Sequence, residues 1–521
     1  MSSTVGHRPG WSRGDLPRRV AGGAIMALGG NGLSFLMTTA YQIIVARHLG
    51  PTGMGPLLLS LAVSTLLAEA SDLGLDYGVL RFGAISHGAA EPGRFRSVVR
   101  RGLAGAFGAG VLAGALLAGG ATVVAGLFEE PGMAAVLVPL ALAIPFTATV
   151  GVARNCLRAM GRAGPSVASD SLVGPGVRLA TVVVALQVAA DPRHVAVAYA
   201  VSEALALVAT LGMLWRLLPR GGEPVRPSGL YRYSLPMSLN RLIIYTNNQT
   251  EVLVLGLLHA AGAVGVFGVT RRLSMVLAAL LTSISVLLIP MVANLHHRRE
   301  MAELDRLFRT ATRWLFTIGF PLCLVEILFG HDLLTLFGEG FVSGTSALAI
   351  LALGQLVNVG TGAAAGVLAI VGRTRLSMLD SLLFVGLSLG LDFLLIPRWN
   401  IVGAAVANAT ALAAVNLLRV VQVRHVLGIV PYDRRILRPL AAGLVAGAVS
   451  WLLPLAALDP IPRLTLHVAT LGAVYAALLL AFGIDPVDRA VAAAFRTSIA
   501  SRASRARSSV GGAHVGHERD P

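Results

Sequence analysis

Four arginines lie inside long apolar stretches of this 521-residue chain, away from the ends where water would solvate them. These arginines are Arg178, Arg241, Arg271 and Arg272. A charged side chain within a membrane span is costly, and each is therefore a candidate functional residue. The planar guanidinium group keeps its charge and matches phosphate oxygens. We therefore expect at least one of these arginines to bind an anion, for which phosphate oxygens are well suited.

Two of the apolar stretches also carry a polar stripe. The first stripe consists of Asn31, Ser34, Thr38, Tyr41 and Gln42. The second consists of Arg241, Tyr245 and Asn248. Spacings of three and four residues place most of these side chains on one face of a helix. Because such a face cannot comfortably contact lipid, the stripes predict either a cavity or a packed neighbouring helix.

Acidic residues lie in the same stretches. Glu251 follows Asn248 by one turn and is either an ion or proton site or the counter-charge of Arg271 or Arg272. Asp72, between Glu69 and Asp76, is the second candidate for ion coupling. Asp76 is expected to pair with an arginine at the end of its helix.

The chain that must position these residues is strongly apolar: 55% of its residues are hydrophobic, only 13% are charged, and the mean hydropathy is +0.74. Soluble proteins carry about 25% charged residues. Apolar runs of about 20 residues recur along the chain, and in lipid such runs must be helical. The sequence thus predicts an all-α polytopic membrane protein with 14 transmembrane helices. The predicted spans are 21–46, 54–78, 98–128, 133–157, 165–190, 194–218, 231–257, 262–292, 310–330, 343–371, 374–397, 402–425, 436–457 and 463–483.

Arginine placement predicts the orientation. With a cytoplasmic N-terminus, the outer loops hold only Arg47, Arg193, Arg398 and Arg463, and the other loop arginines lie inside. This asymmetry follows the positive-inside rule and predicts that both termini are cytoplasmic. The net charge of +16 therefore reflects topology, and nucleic acid is not an expected partner.

Short segments repeat at an offset near 210 residues. The stretch 53–60 has its counterpart at 263–270, and Met160-Gly-Arg162 has its counterpart at Val371-Gly-Arg373. Two parallel repeats with a substrate site between them are a known transporter architecture. The predicted organisation is a basic cytoplasmic tail (1–19), a six-helix lobe (20–218), a cytoplasmic linker (219–230), a second six-helix lobe (231–425), two additional helices (426–483) and a disordered basic cytoplasmic tail (484–521).

Several motifs resemble one family. They are Val45-Ala-Arg-His-Leu-Gly-Pro-Thr-Gly-Met-Gly55, Asp72-Leu-Gly-Leu75, Gly262-Ala-Val-Gly-Val-Phe-Gly268, Gly372-Arg373, Leu391-Asp-Phe-Leu-Leu-Ile-Pro397 and Gly403-Ala-Ala-Val-Ala407. Over roughly residues 20–425, the chain resembles the Wzx-type polysaccharide flippases of the multidrug/oligosaccharidyl-lipid/polysaccharide exporter superfamily. Asp392 stands where that family usually has asparagine.

The resemblance implies the fold of the multidrug and toxic compound extrusion (MATE) transporters, with two six-helix bundles around a central cavity. It implies a cargo of undecaprenyl-pyrophosphate-linked oligosaccharide, moved from the cytoplasmic to the outer leaflet of the cell membrane. Membrane lipids, a polysaccharide polymerase and glycosyltransferases are the other partners that this function suggests.

Other functions remain open at this point. The sequence has no GxSxG, HExxH or phosphate-loop motif, so we expect no enzyme, cofactor or metal site. Cys156 and Cys323 are far apart and are expected to be free thiols. The alternatives are a flippase of lipid-linked peptidoglycan precursor, a multidrug antiporter and, in the enzyme class, an integral-membrane polysaccharide polymerase.

Overall fold

The computed structural model describes residues 15–223, 225 and 229–483. The predicted C-terminal tail, most of the N-terminal tail and part of the 219–230 linker lie outside these residues. Within them the secondary structure is entirely helical, with no strand. The predicted all-α fold class is confirmed.

Seventeen α-helices follow one another along the described part of the chain. The first eight are α1 (Asp15–Ser71), α2 (Leu75–Gly88), α3 (Pro92–Gly119), α4 (Ala121–Leu127), α5 (Met133–Ala159), α6 (Ala163–Val167), α7 (Gly174–Val188) and α8 (Pro192–Leu217). The remainder are α9 (Leu230–Leu258), α10 (Ala261–His297), α11 (Met301–Leu328), α12 (Gly330–Thr335), α13 (Thr345–Gly360), α14 (Ala364–Ile370), α15 (Thr374–Leu427), α16 (Leu437–Trp451) and α17 (Pro460–Ala481). A π-helical segment, Ala168–Val173, joins α6 to α7.

The two longest helices, α1 and α15, are each broken near the middle. The break in α1 is Gly50, with φ of 62°, and the break in α15 is Asn400, with φ of 51°. Glycine and asparagine tolerate this left-handed conformation, and Pro51 further disfavours a helical conformation at Gly50. Straight helices of 57 and 54 residues would be about 80 Å long, far more than one crossing of the hydrocarbon core needs. Each of these two segments is therefore long enough for two spans.

Ten helical segments among the described residues are long and apolar enough to cross a membrane. Two of these, at 60 and 53 residues, contain the breaks just described. The polar α9 and the 15-residue α16 are not among the ten. The predicted total of 14 spans stays a prediction.

One predicted span, 54–78, ends earlier than expected. Helix α1 stops at Ser71, and α2 begins at Leu75. Leu73 and Gly74 both have left-handed backbone conformations, with φ of 53° and 66°. Asp72 therefore lies at a helix break, where its neighbours Glu69 and Asp76 belong to different helices.

Two groups of helices form two lobes. In the first lobe, α1, α2, α3 and α8 pack around the largely buried α5, and α7 packs against α1 and α8. In the second lobe, α13 packs against α10, α11 and α15, and α9 and α14 pack against α15. Helices α16 and α17 pack against each other and against α11. Gly161 and Gly372, in the two repeated Gly-Arg motifs, share positive φ angles of 67° and 85°.

The lobes pack together along α1 and α2, where α10 and α9 contact them, and two close backbone contacts lie near the ends of this interface. Near the start of the second half of α1, a Cβ atom on Gly55 would overlap the backbone carbonyl of Ala261 in α10. Beyond the end of α1, a Cβ on Gly74 would overlap the backbone of Ser234 in α9. At 1.5 Å per residue these two contacts lie about 28 Å apart. The interface is therefore closed near both ends.

Candidate functional site

A cavity of about 650 Å³ lies at the interface, bounded mainly by the first lobe. It is lined by Thr65, Ala68, Glu69, Asp72, Asp76, Tyr77, Leu80, Thr147, Ala148, Val150, Gly151, Arg154, Asn155, Arg158, Asp170, Arg178, Tyr199, Glu203, Arg241 and Tyr245. Only Arg241 and Tyr245 come from the second lobe. Five of the lining residues are acidic and four are arginines, so the wall carries opposite charges in nearly equal number.

Arg241 crosses the lobe interface. It forms ion pairs with Glu69 of α1 and Asp76 of α2, and its Nη1 lies 3.7 Å from Asp72 Oδ2. Its guanidinium group also lies 5.6 Å from the ring centroid of Tyr245. The expected pairing of Asp76 with an arginine is present. In this conformation Arg241 is neutralised by carboxylates, so it can receive a phosphate only after these pairs loosen.

Arg178 is also paired. Its guanidinium group contacts Glu203 of α8 and stacks 4.7 Å from the ring centroid of Tyr199. Glu203 is 4% exposed, and a buried carboxylate needs such a counter-charge. Tyr41, from the predicted polar stripe of α1, is buried in the same cluster as Tyr199. The Arg178–Glu203 pair therefore forms a charged side wall of the cavity.

Arg271 and Glu251 form a separate group in the second lobe. Arg271 Nη2 lies 3.6 Å from Glu251 Oε2, and Arg271 Nη1 donates a hydrogen bond of 2.5 Å to the Asn248 carbonyl. Asn408 Nδ2 donates a hydrogen bond of 2.5 Å to Glu251 Oε1. Asp392 of α15 is also fully buried. Glu251 thus neutralises Arg271, one of the two roles that the sequence left open.

Arg272 differs from the other three arginines. Among the described residues it has no carboxylate partner, and its buried Nε atom has no hydrogen-bond partner. Its guanidinium carbon lies 5.5 Å from the ring centroid of Phe35 in α1, so the side chain reaches the opposite lobe. Arg272 therefore supplies an uncompensated positive charge at the interface.

The polar stripe of α1 does not form one wall of the cavity. None of Asn31, Thr38, Tyr41 and Gln42 belongs to its described lining. Thr38 Oγ1 donates a hydrogen bond of 2.7 Å to the Ser34 carbonyl of its own helix. Asn31 is exposed, whereas the Gln42 side-chain oxygen is buried without a partner. In α9, Asn248 is also outside the lining, and only Arg241 and Tyr245 contribute to it.

The sequence interpretation did not identify a further charged group in the cavity wall. Asp170, in the π-helical segment, pairs with Arg154 at 3.0 Å and with Arg158 at 3.1 Å. Both arginines were attributed to topology. Two signals were available in the sequence: the four-residue spacing of the arginines, and the Asp-Ser-Leu sequence at 170–172, which recurs at 380–382. Single-turn π-helices occur frequently at functional sites.

The family model described as "Polysaccharide biosynthesis protein" matches residues 20–296, more than half of the chain, and a MatE model matches residues 236–394. The chain belongs to the polysaccharide biosynthesis protein family. This result agrees with the resemblance carried by the motifs at 45–55 and 391–397.

Relatives of this family member include the "Probable flippase AglR" of Haloferax volcanii. The two are 25% identical over 206 residues, which cover 38% of this chain and 43% of the relative. The matched region therefore spans less than half of the relative's length.

Solved structures resemble the whole fold. The lipid II flippase MurJ, in an inward closed conformation, superposes with a TM-score of 0.72 at 12% identity, covering 88% of this chain and 98% of that one. The MATE multidrug transporter DinF-BH, in complex with R6G, superposes with a TM-score of 0.60 at 16% identity, covering 81% and 98%. At these identities the likeness establishes the fold alone, and it agrees with the predicted MATE-like architecture.

Proposed function

We propose that this protein flips lipid-linked oligosaccharides across the cytoplasmic membrane for polysaccharide biosynthesis. The proposed cargo is an undecaprenyl-pyrophosphate-linked oligosaccharide, and the proposed orientation has both termini in the cytoplasm. Family membership, the relative named as a probable flippase and the two-lobed fold support this function. The single observation that carries it is Arg272, which has no carboxylate partner among the described residues and whose side chain reaches Phe35 of the opposite lobe.

The proposed chemistry is binding and release, without a catalytic step. A pyrophosphate that entered between the lobes would find Arg272 uncompensated and could then displace the carboxylates that hold Arg178 and Arg241. Charge-assisted hydrogen bonds from guanidinium groups to phosphate oxygens are strong and directional. Tyr245 and Asn155 line the cavity together with Arg178 and Arg241, whereas Arg272 lies outside that lining, and they offer a hydroxyl and an amide to sugar groups.

Alternating access would follow from the two contacts between the lobes. Separation at Gly74 and Ser234 would open the end predicted to be cytoplasmic. Separation at Gly55 and Ala261 would open the other end. Because rigid lobes rocking about a fixed site is a known transporter mechanism, we propose that only one contact breaks at a time.

Glu251 and Asp72 are the proposed ion-coupling residues. Glu251 is 1% exposed, and Asp72 is buried with neither oxygen hydrogen-bonded in the described structure. Exchanging each for its amide (Glu251→Gln, Asp72→Asn) should abolish the dependence of transport on an imposed proton or sodium gradient. Glu326→Gln is a matched control, since Glu326 is a buried carboxylate of α11 that lies outside the cavity lining. Retained coupling in both amide variants would exclude this role.

A flipping assay tests the main proposal. The full chain would be reconstituted in vesicles with a fluorescent polyprenyl-pyrophosphate oligosaccharide, and transfer between leaflets would be followed by quenching. We expect Arg241→Ala, Arg271→Ala and Arg272→Ala each to slow transfer while membrane insertion is retained. Transfer at the wild-type rate in all three variants would contradict the proposed anion site.

A multidrug antiporter is the second candidate function. The slight excess of carboxylates in the cavity favours it, because acidic walls attract cationic compounds. Competition in the same vesicles separates the two functions. Inhibition of lipid transfer by inorganic pyrophosphate would favour the flippase, whereas uptake of rhodamine 6G driven by an ion gradient would favour the antiporter.

A further inference from the structure

An apolar groove runs along the outside of the first lobe, between α3 and α8. Both helices pack against α5, and a space of about 680 Å³ remains between them. Its lining has no residue in common with that of the charged cavity. It therefore requires an explanation apart from cargo binding.

The walls of this groove are suited to a hydrocarbon chain. Leu103 and Phe107 of α3 face Leu207, Leu211 and Trp215 of α8. Phe107 is 41% exposed and Trp215 61% exposed, so the groove opens on the surface of the lobe that would face lipid. Tryptophan is typical of the boundary between hydrocarbon and head groups.

Thr149 of α5 also lines the groove. Its hydroxyl donates a hydrogen bond of 2.6 Å to the carbonyl of Pro145, and so presents no unsatisfied polar atom. Because the apolar part of the groove offers no free polar group, selectivity for one ligand over another must come from the ends of the groove.

One end of the groove is basic. Arg96 and Arg100 line it there, at the end of α3 predicted to be cytoplasmic. Arg96 donates hydrogen bonds of 2.7 Å and 3.0 Å to the carbonyls of Gly221 and Gly222, which are neutral acceptors and leave its charge uncompensated. Arg100 is exposed and has no ion pair within the described part of the chain. By contrast, Arg94 is paired with Glu91 at 3.2 Å and does not line the groove.

We propose that this groove binds an anionic phospholipid, with one acyl chain between α3 and α8 and its phosphate on Arg96 and Arg100. An acyl chain gains no hydrophobic free energy by moving from bilayer to groove, since both are apolar. The head group must therefore supply the selectivity, and basic pockets between helices on the cytoplasmic side suit anionic head groups. The groove thus selects an anionic lipid over a zwitterionic lipid by the charge of the head group.

Native mass spectrometry of the purified full-length protein tests this site. Phosphatidylglycerol and phosphatidylcholine with identical acyl chains would be titrated separately. We expect phosphatidylglycerol to bind more tightly, and Arg100→Gln to weaken that binding about fivefold, the factor corresponding to about 1 kcal/mol per arginine near an anionic surface. Leu211→Trp should weaken the binding of both lipids, because the larger side chain fills the groove. Arg94→Gln, the matched control six residues earlier on α3, should bind as the wild type does.

Three results would overturn the proposal. The first is equal binding of the two lipids by the wild type, and the second is unchanged binding in Arg100→Gln. The third is displacement of phosphatidylglycerol by undecaprenyl phosphate at equal concentration, which would assign the groove to the cargo lipid. Because Arg100 is exposed, Arg100→Gln should fold normally, and size-exclusion chromatography would check this. Restored binding in Arg100→Lys would support a charge effect.

Discussion

Arg241 of α9 is ion-paired with Asp76 of α2, and this pair links the two lobes beside the close contact of Gly74 with Ser234. Arg241 also contacts Glu69 on the other side of the α1–α2 break. One guanidinium group thus holds together carboxylates that would otherwise repel each other. The charge cluster is both a wall of the cavity and a link between the lobes.

Arg241→Gln should open this end of the interface. Loss of the guanidinium group leaves Glu69, Asp72 and Asp76 without this cation. Removing one partner of a buried ion pair costs about 3–5 kcal/mol of folding free energy. Maleimide labelling of a cysteine introduced at Ser234, which is fully buried here, should rise strongly from the predicted cytoplasmic side. The native Cys156 and Cys323 are buried free thiols and should give little background. Adding Asp76→Asn should partly reverse the effect, and unchanged labelling would contradict the link.

Arg271 and Arg272 are neighbours in sequence, but their substitutions are expected to differ in their effect on stability. Arg271→Ala leaves Glu251 buried without its arginine, which should lower the melting temperature. Arg272 has no carboxylate partner within the described residues, so Arg272→Ala should leave stability nearly unchanged while slowing transfer. Thermal unfolding of both variants in detergent is the measurement. Equal destabilisation would indicate that Arg272 has a structural role.

Gly55 should not tolerate alanine. Its Cβ would overlap the Ala261 carbonyl, and overpacking of this kind costs about 1–3 kcal/mol. We expect Gly55→Ala to weaken the α1–α10 contact and to raise labelling of a cysteine at Ala261 from the opposite side. Gly262→Ala is the matched control, because a Cβ there would make an ordinary contact of 3.8 Å with Thr52. If Gly55→Ala and Gly262→Ala are both labelled at the wild-type rate, the contact between Gly55 and Ala261 is not tight.

Arg463 and Asp332 should be energetically coupled. Arg463 Nε lies 3.0 Å from Asp332 Oδ2 in a bidentate pair that joins α17 to α12. The His467 ring also stacks on Phe329, with centroids 4.4 Å apart. A double-mutant cycle with Arg463→Ala and Asp332→Ala, read by thermal unfolding, should give a coupling of about 1–3 kcal/mol. Additive effects would mean that packing alone holds α17 in place.

The sequence by itself determined the helical membrane fold, the two repeated lobes and the deep arginines as unusual residues. These features could be predicted because an apolar run, and a charge within it, can be recognised from neighbouring residues in the sequence. The roles of those arginines depend on distant residues. Arg241 meets Asp76 from 165 positions away, and Asn408 reaches Glu251 across 157. Only the tertiary structure decided that three of the arginines are neutralised while Arg272 is not, because pairing requires proximity in space and spacing along one helix cannot specify it.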